Sequence, residues 1–185
     1  MSPLWRWTLS CLVLLLLAAG LWASVAAEQG TMLADRAESE MQAGDLNASM
    51  TDLRAALRWQ PHDPALWRQQ SVSLGQLGFF RRDEAARKGA VTAARTALSN
   101  GENDGRNASA LGWALNDAGR PAEAVDAFQI ATRLDPYNQS YLYALGLARE
   151  LAGQRPEAVR AYRAAWAVMP DSAIRDGLTR LGASP

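Results

Sequence analysis

A pattern of small, apolar and turn-forming residues recurs at a spacing of 34 residues between positions 105 and 171. Residues of like type share one register, and their number is too large for chance. The pairs are Gly112 and Gly146, Gly119 and Gly153, Ala124 and Ala158, Phe128 and Tyr162, Ala131 and Ala165, and Pro136 and Pro170. A repeat of this length indicates an architecture in which one small unit is stacked several times.

Each unit has the pattern of two helices joined by a tight turn. Gly119 and Gly153 can adopt the left-handed conformation that ends a helix, and a proline follows in the first turn of the next helix. Glycine and alanine on the facing helices predict close approach, with Phe128 or Tyr162 filling the space beside them. The amphipathic stripe of the first helix is Ala108, Leu111, Gly112 and Leu115.

This arrangement resembles the tetratricopeptide repeat, which has the same period and combines a small residue in the first helix, alanine and an aromatic in the second, and a closing proline. The resemblance implies a right-handed superhelical stack of helical hairpins whose concave face binds a peptide or a partner protein. We therefore expect an all-α fold of about four hairpins with a C-terminal capping helix, preceded by one transmembrane helix.

The predicted repeat domain covers residues 29–185 and follows an N-terminal segment at residues 1–28. Its second unit is degenerate, and it contains seven residues more than the 34-residue period. We expect the first helix of that unit to end at Gly78 and the polar loop at residues 102–105 to hold much of the surplus. The predicted units lie at about residues 30–63, 64–104, 105–138 and 139–172, with a cap at 173–185.

Residues 7–27 contain no charged side chain and are rich in leucine. A helix of this length is about 30 Å long, enough to cross the hydrocarbon of a bilayer. One interpretation is an anchor, with Trp5 and Trp7 at one membrane interface and Trp22 near the other. The other is a cleavable signal peptide, with its apolar core at residues 9–17 and a small-residue cleavage site at 25–27.

The three tryptophans favour the anchor. Arg6 precedes the apolar run and Glu28 follows it, so the positive-inside rule predicts a cytoplasmic N-terminus and repeats on the periplasmic or extracytoplasmic side. Membrane lipid is then a partner of the N-terminal helix. In the signal-peptide interpretation, the product is an exported soluble scaffold.

Composition argues against several kinds of function. The 19 basic and 19 acidic residues cancel, and no basic stripe is visible, so we expect no nucleic-acid partner. The single histidine, His62, and the single cysteine, Cys11, offer no convergent set of nucleophiles or metal ligands. We therefore expect no catalytic residue, cofactor or metal. An enzyme subunit whose site is completed by a partner is the alternative of another class.

The candidate binding surface is a groove along the first helices of the repeats. Trp113 points roughly 140–150° away from the apolar stripe of its helix, so core packing does not need it. Alternatively, Trp113 packs against a neighbouring helix or the loop near Gly105. The expected function is a membrane-anchored adaptor, assembly factor or accessory subunit of a membrane complex. The candidate groove residues are Arg68, Ser109, Trp113, Asn116, Tyr143, Leu147 and Glu150.

Overall fold

The computed structural model describes the backbone of residues 4–185 and the side chains of residues 11–185. Within these residues the chain forms nine α-helices and no strand, which confirms the predicted all-α fold. The helices are α1 Leu4–Gln42, α2 Leu46–Trp59, α3 Pro64–Phe80, α4 Glu84–Asn100, α5 Gly105–Asp117, α6 Pro121–Leu134, α7 Gln139–Leu151, α8 Arg155–Val168 and α9 Ser172–Arg180.

The helices belong to two compact units, Met1–His62 and Asp63–Pro185. The N-terminal unit contains the hairpin of α1 and α2, and α1 runs unbroken through residue 28. The predicted anchor and the first helix of the first predicted repeat are therefore one helix. The C-terminal unit contains the hairpins α3/α4, α5/α6 and α7/α8, followed by α9 as a cap.

Short turns and side-chain caps define the ends of the helices. Gly119 and Gly153 have the predicted left-handed conformation, with φ of 72° and 75°, and Gly44 has the same role between α1 and α2 with φ of 84°. Carboxylates preceding five helices accept hydrogen bonds from first-turn N–H groups, which would otherwise lack partners. These capping residues are Asp45, Asp63, Asp83, Asp104 and Asp171.

The helices of a hairpin meet where a glycine faces an aromatic ring. A Cβ added at Gly112 would lie 2.6–2.7 Å from ring atoms of Phe128, and one at Gly146 would lie 2.6–3.0 Å from Tyr162. Both rings are fully buried, as predicted. A Cβ at Gly177 on α9 would also approach the Tyr162 ring to 2.9 Å, so the same ring supports the capping helix.

The surplus of the second predicted repeat lies in its helices, and its placement in the loop at 102–105 is wrong. Helix α3 has 17 residues against 13 in α5, and α4 has 17 against 14 in α6. Each of the two helices is thus about one turn longer. Helix α3 does not end at Gly78, because that glycine packs against α4. A Cβ there would meet Arg87 Cγ at 2.5 Å.

The glycine-to-ring contact predicts opposite effects of alanine at two helical glycines. Gly146→Ala should lower the free energy of unfolding by about 1–3 kcal/mol, because its methyl group overlaps the Tyr162 ring. Gly75→Ala is the matched control, since its nearest neighbour is 3.7 Å away. It should be neutral or stabilise by up to about 1 kcal/mol through helix propensity. Equal effects of the two variants in urea unfolding would contradict the packing described.

Candidate functional site

An open cleft lies between α3 and α5 in the C-terminal unit. Its volume is about 410 Å³. On each helix the lining side chains recur at spacings of three, four and seven residues, so each set occupies one helical face. The lining residues are Ser71, Val72, Gly75, Gln76, Phe79 and Phe80 from α3, and Ala110, Trp113, Ala114 and Asp117 from α5.

The cleft exposes an unusual amount of apolar surface. Phe79 and Phe80 are 70% and 73% exposed, and their rings meet edge to face with centroids 5.5 Å apart. Val72 and Trp113 are 43% and 40% exposed. A contiguous group of large apolar side chains at the surface is typical of an interaction site.

Trp113 is held in place from below by the core. Its ring stands edge to face on the buried ring of Phe128, with centroids 5.4 Å apart and an interplanar angle of 80°. This contact fixes the indole orientation while part of its surface stays in the cleft. Both interpretations of Trp113 therefore describe part of its environment: it packs on a neighbouring helix, and it lines the cleft.

One carboxylate lies in the cleft. Asp117 is at the C-terminal end of α5, and its Oδ2 is 3.7 Å from the Cβ position of Gly75. Although the residue as a whole is exposed, partial removal of the carboxylate from water raises its pKa, and the nearby charge of Arg87 opposes this rise. The cleft therefore combines an apolar floor with one polar end.

The structure does not bring the seven predicted groove residues into one site. Arg68 donates to Asn107 Oδ1 at 2.7 Å and lies 3.7 Å from Asp104 Oδ2, so it braces the start of α5. Ser109 is buried, and both side-chain polar atoms of Asn116 are buried without a partner in the described part of the chain. Of the seven, Trp113 lines the cleft.

The three C-terminal candidates lie on α7, and two of them, Tyr143 and Glu150, contact Tyr162 of α8. Glu150 accepts a hydrogen bond from Tyr162 Oη at 2.7 Å and binds Arg180 Nε and Nη2 at 3.0 and 3.1 Å. Its carboxylate therefore joins α7, α8 and α9. Tyr143 packs against the Tyr162 ring with centroids 5.7 Å apart, and Leu147 is half-buried.

Trp113 is the one predicted candidate among the described residues that line the cleft, and the sequence did not mark the large side chains of Val72, Phe79 and Phe80 or the carboxylate of Asp117. The available signal was the spacing of Val72 and Phe79, seven residues apart and hence on one face of a helix that continues past Gly78. The prediction that the helix ends at Gly78 places Phe79 outside the helix, so the two residues were not assigned to one helical face.

Several solved structures resemble this chain over most of its length. TTC0263, a thermophilic TPR protein of Thermus thermophilus, has a TM-score of 0.67 and 19% identity over 82% of this chain and 80% of that one. MamA 41-end from Desulfovibrio magneticus RS-1 has a TM-score of 0.69 and 19% identity over 83% and 82%. YrrB, a TPR protein with an unusual peptide-binding site, has 0.67 and 19% over 90% and 86%.

The chain has the tetratricopeptide repeat fold. No family model matches the chain, and no curated protein matches its sequence. The tetratricopeptide repeat fold is therefore recognised here from the structure and from the residues that build the hairpins.

The link between Glu150 and the cap predicts a pH-dependent contribution to stability. The hydrogen bond from Arg180 is the main reason that the pKa of Glu150 lies below its ordinary value of 4.5, and burial opposes the shift. Because the pKa is lower in the folded state, the ionised carboxylate contributes its full stabilisation when the pH is above the ordinary pKa. This contribution is lost as the pH falls through the pKa of the folded state.

Glu150→Gln should therefore weaken the fold at pH 7 and reduce the loss of stability between about pH 5 and 3. Urea unfolding at several pH values measures this. Glu102→Gln is the control, because this exposed carboxylate in the α4–α5 loop forms no ion pair in the described part of the chain. An unchanged pH profile for Glu150→Gln would contradict the assigned role.

Proposed function

We propose that this protein is a membrane-anchored adaptor that binds an apolar segment of a partner protein in the cleft between α3 and α5. The observation that carries this proposal is the exposed group of Val72, Phe79, Phe80 and Trp113. Helical grooves of this kind bind short segments through a few apolar anchors. The peptide-binding site of the structurally similar YrrB supports the same use of the fold.

The N-terminal part of α1 supports the membrane anchor. The stretch that begins at Cys11 is long and apolar enough to cross a bilayer, and nearly all of it is exposed. Leu14, Leu15 and Leu21 are 66%, 69% and 70% exposed, and Trp22 is 63% exposed. Such a surface is stable in lipid and not in water. The side chains of Trp5 and Trp7 lie outside the described residues.

The contact between α2 and α1 begins where the apolar run ends. Gln60 Nε2 donates to the carbonyl oxygens of Ala27 at 2.9 Å and of Ala26 at 3.4 Å, and Ala26 is 5% exposed. A Cβ at Gly30 would lie 2.4–2.9 Å from the Gln60 side chain, so the two helices are close here. In the folded chain, the predicted cleavage site at 25–27 lies inside a continuous helix, and its middle residue, Ala26, is buried beneath Gln60. An uncleaved α1 keeps this contact with α2, as the anchor requires.

The proposed topology follows the flanking charges. Arg6 on one side and Glu28 on the other favour a cytoplasmic N-terminus and repeats outside the cytoplasm. The proposed role is assembly or support of a membrane complex through protein contact. The cleft favours binding over catalysis, because Asp117 is the one charged side chain among the described residues that line it.

The anchor predicts that the protein keeps its N-terminal residues and resists extraction. We expect the full-length chain in the membrane pellet after alkaline carbonate treatment, because its apolar helix has no favourable place in water. Intact mass spectrometry of the native protein should show that the apolar segment at residues 7–27 is retained. Release into the supernatant, or loss of about 27 N-terminal residues, would support the exported scaffold instead.

If the cleft binds a partner, Trp113 and Phe128 should differ in role although their rings are in contact: Trp113 should matter mainly for binding, and Phe128 mainly for stability. Trp113→Ala should weaken partner binding by about 2 kcal/mol or more, as expected for an aromatic anchor. It should cost about 1–2 kcal/mol of stability through the lost ring contact. Phe128→Ala should cost about 3–5 kcal/mol of stability, because it leaves a cavity in the core.

Co-purification in mild detergent and thermal melts measure these effects. Tyr137→Ala is the matched control, since this tyrosine is 82% exposed and lies outside the cleft. We expect it to change neither binding nor stability. If Trp113→Ala destabilises the fold as much as Phe128→Ala, or if it binds the partner as well as Tyr137→Ala does, the cleft assignment is wrong.

A further inference from the structure

We propose that the partner segment bound in the cleft carries acidic residues next to its apolar ones, and that these acidic residues bind a basic pocket beside the cleft. The inference rests on the proposed function of the cleft and adds the chemistry of its partner. The pocket lies at the turns α3–α4 and α5–α6 and has a volume of about 460 Å³. Its cationic lining residues are Arg82, Arg87, Lys88, Arg95 and Arg120.

Carboxylates of the chain already pair with cations of this pocket, Glu84 from within its lining and Glu123 from beside it. Glu123 accepts two hydrogen bonds from Arg120, both at 2.6 Å, and one from Arg95 at 3.2 Å. Lys88 Nζ lies 2.8 Å from Glu84 Oε1. These pairs show that the pocket accommodates carboxylates, and arginine binds them through paired N–H donors.

The remaining cations are not neutralised by the described part of the chain. Arg87 Nε donates to the Gly78 carbonyl oxygen at 3.2 Å, which leaves its terminal nitrogens without a hydrogen bond there, and the charge of Asp117 acts on it from a longer distance. Arg82 is exposed and forms no ion pair with any described residue. Among the described residues that line the pocket, five cations therefore stand with one carboxylate, Glu84, and the pocket keeps a positive excess after Glu123 has paired with Arg95 and Arg120 from beside it.

Arg82 occupies an unfavourable backbone conformation. Its φ is 53°, whereas glycines with φ of 84°, 72° and 75° stand at the corresponding turns of the other hairpins. A side chain in the left-handed region strains the backbone, and such positions are found where a site needs the residue. Glycine would suit the turn better and would remove the charge. The arginine thus adds a cation to the pocket at a cost in stability.

The cleft and the basic pocket meet at two turns. Phe80 lines the cleft, and Arg82, two residues later, lines the pocket. Asp117 lines the cleft, and Ala118 lines the pocket. A segment that leaves the cleft at this end therefore passes the excess positive charge. Acidic residues at that point of the partner would be attracted, and basic ones would be repelled.

Three fluorescein-labelled peptides test the proposal on the full chain in non-ionic detergent. Each is leucine-rich and ends in a short run of glutamates, glutamines or lysines. In fluorescence anisotropy at about 50 mM NaCl, the glutamate peptide should bind roughly tenfold more tightly than the glutamine peptide. Its advantage should shrink as the salt concentration rises, because salt screens the added charge interaction.

Arg82→Gly separates binding from folding, because we expect the two properties to change in opposite directions. The variant should raise the melting temperature by a few degrees through relief of the strained turn, and it should remove much of the advantage of the glutamate peptide. Its binding of the glutamine peptide should stay unchanged. Arg175→Gln, an exposed arginine on α9, is the control for a general loss of charge and should alter neither peptide affinity.

The outcomes distinguish the inference from the function on which it rests. Equal binding of the three peptides, or an unchanged glutamate advantage in Arg82→Gly, would overturn the acidic-partner inference and leave the apolar cleft in place. Loss of the advantage in Arg175→Gln as well would also overturn it, since the effect would then be one of net charge. Binding of none of the peptides would contradict the proposed function of the cleft.

Discussion

The contact between a glycine on one helix and an aromatic ring on the next determines the geometry of the C-terminal unit. Phe128 fills the space left by Gly112, and Tyr162 fills the space left by Gly146. Because each ring is fully buried, the two helices of a hairpin cannot separate without opening a cavity. The cleft depends on this contact, since the Phe128 ring also packs edge to face with Trp113 and so orients the indole.

Hairpin α3/α4 departs from this regular pattern in the length of its helices and in its turn residue. The described hairpins all turn within three residues, but the others have glycine in the middle of the turn, where α3/α4 has Arg82. Helices α3 and α4 are each about one turn longer than their counterparts, and the added turn of α3 ends in Phe79 and Phe80, followed by Arg82 at the strained position. A lengthened helix pair ending in exposed aromatic and cationic side chains adds binding surface at a cost in stability.

The repeat register predicted much of the fold, because the residues that define it are also those that pack the hairpins. Phe128, Tyr162 and the turn glycines could be assigned from spacing alone, since local helix geometry places them at fixed positions. The end of α3 could not, because glycine within a helix can equally be a stop or a close contact. Here Gly78 is a contact with α4.

The candidate site was harder to predict because its contacts join residues that are far apart in the sequence. Glu150 looked like a groove residue, yet its partner Arg180 is 30 residues away on the cap. Arg68 is bound to Asn107, 39 residues away. Helical periodicity shows which face a residue occupies, but it does not show which charged residue will reach it from another helix. Trp113 was predictable because an apolar residue off the core stripe is visible in one helix alone.

Site-specific photo-cross-linking in native membranes tests the central claim most directly. A photoreactive phenylalanine analogue would replace Phe79 in the cleft or Tyr137 outside it, both of which are strongly exposed aromatic residues. The account predicts cross-links from position 79 to a defined segment of one partner protein, and none to that segment from position 137. Equal cross-linking from both positions, or a partner reached only from position 137, would contradict it.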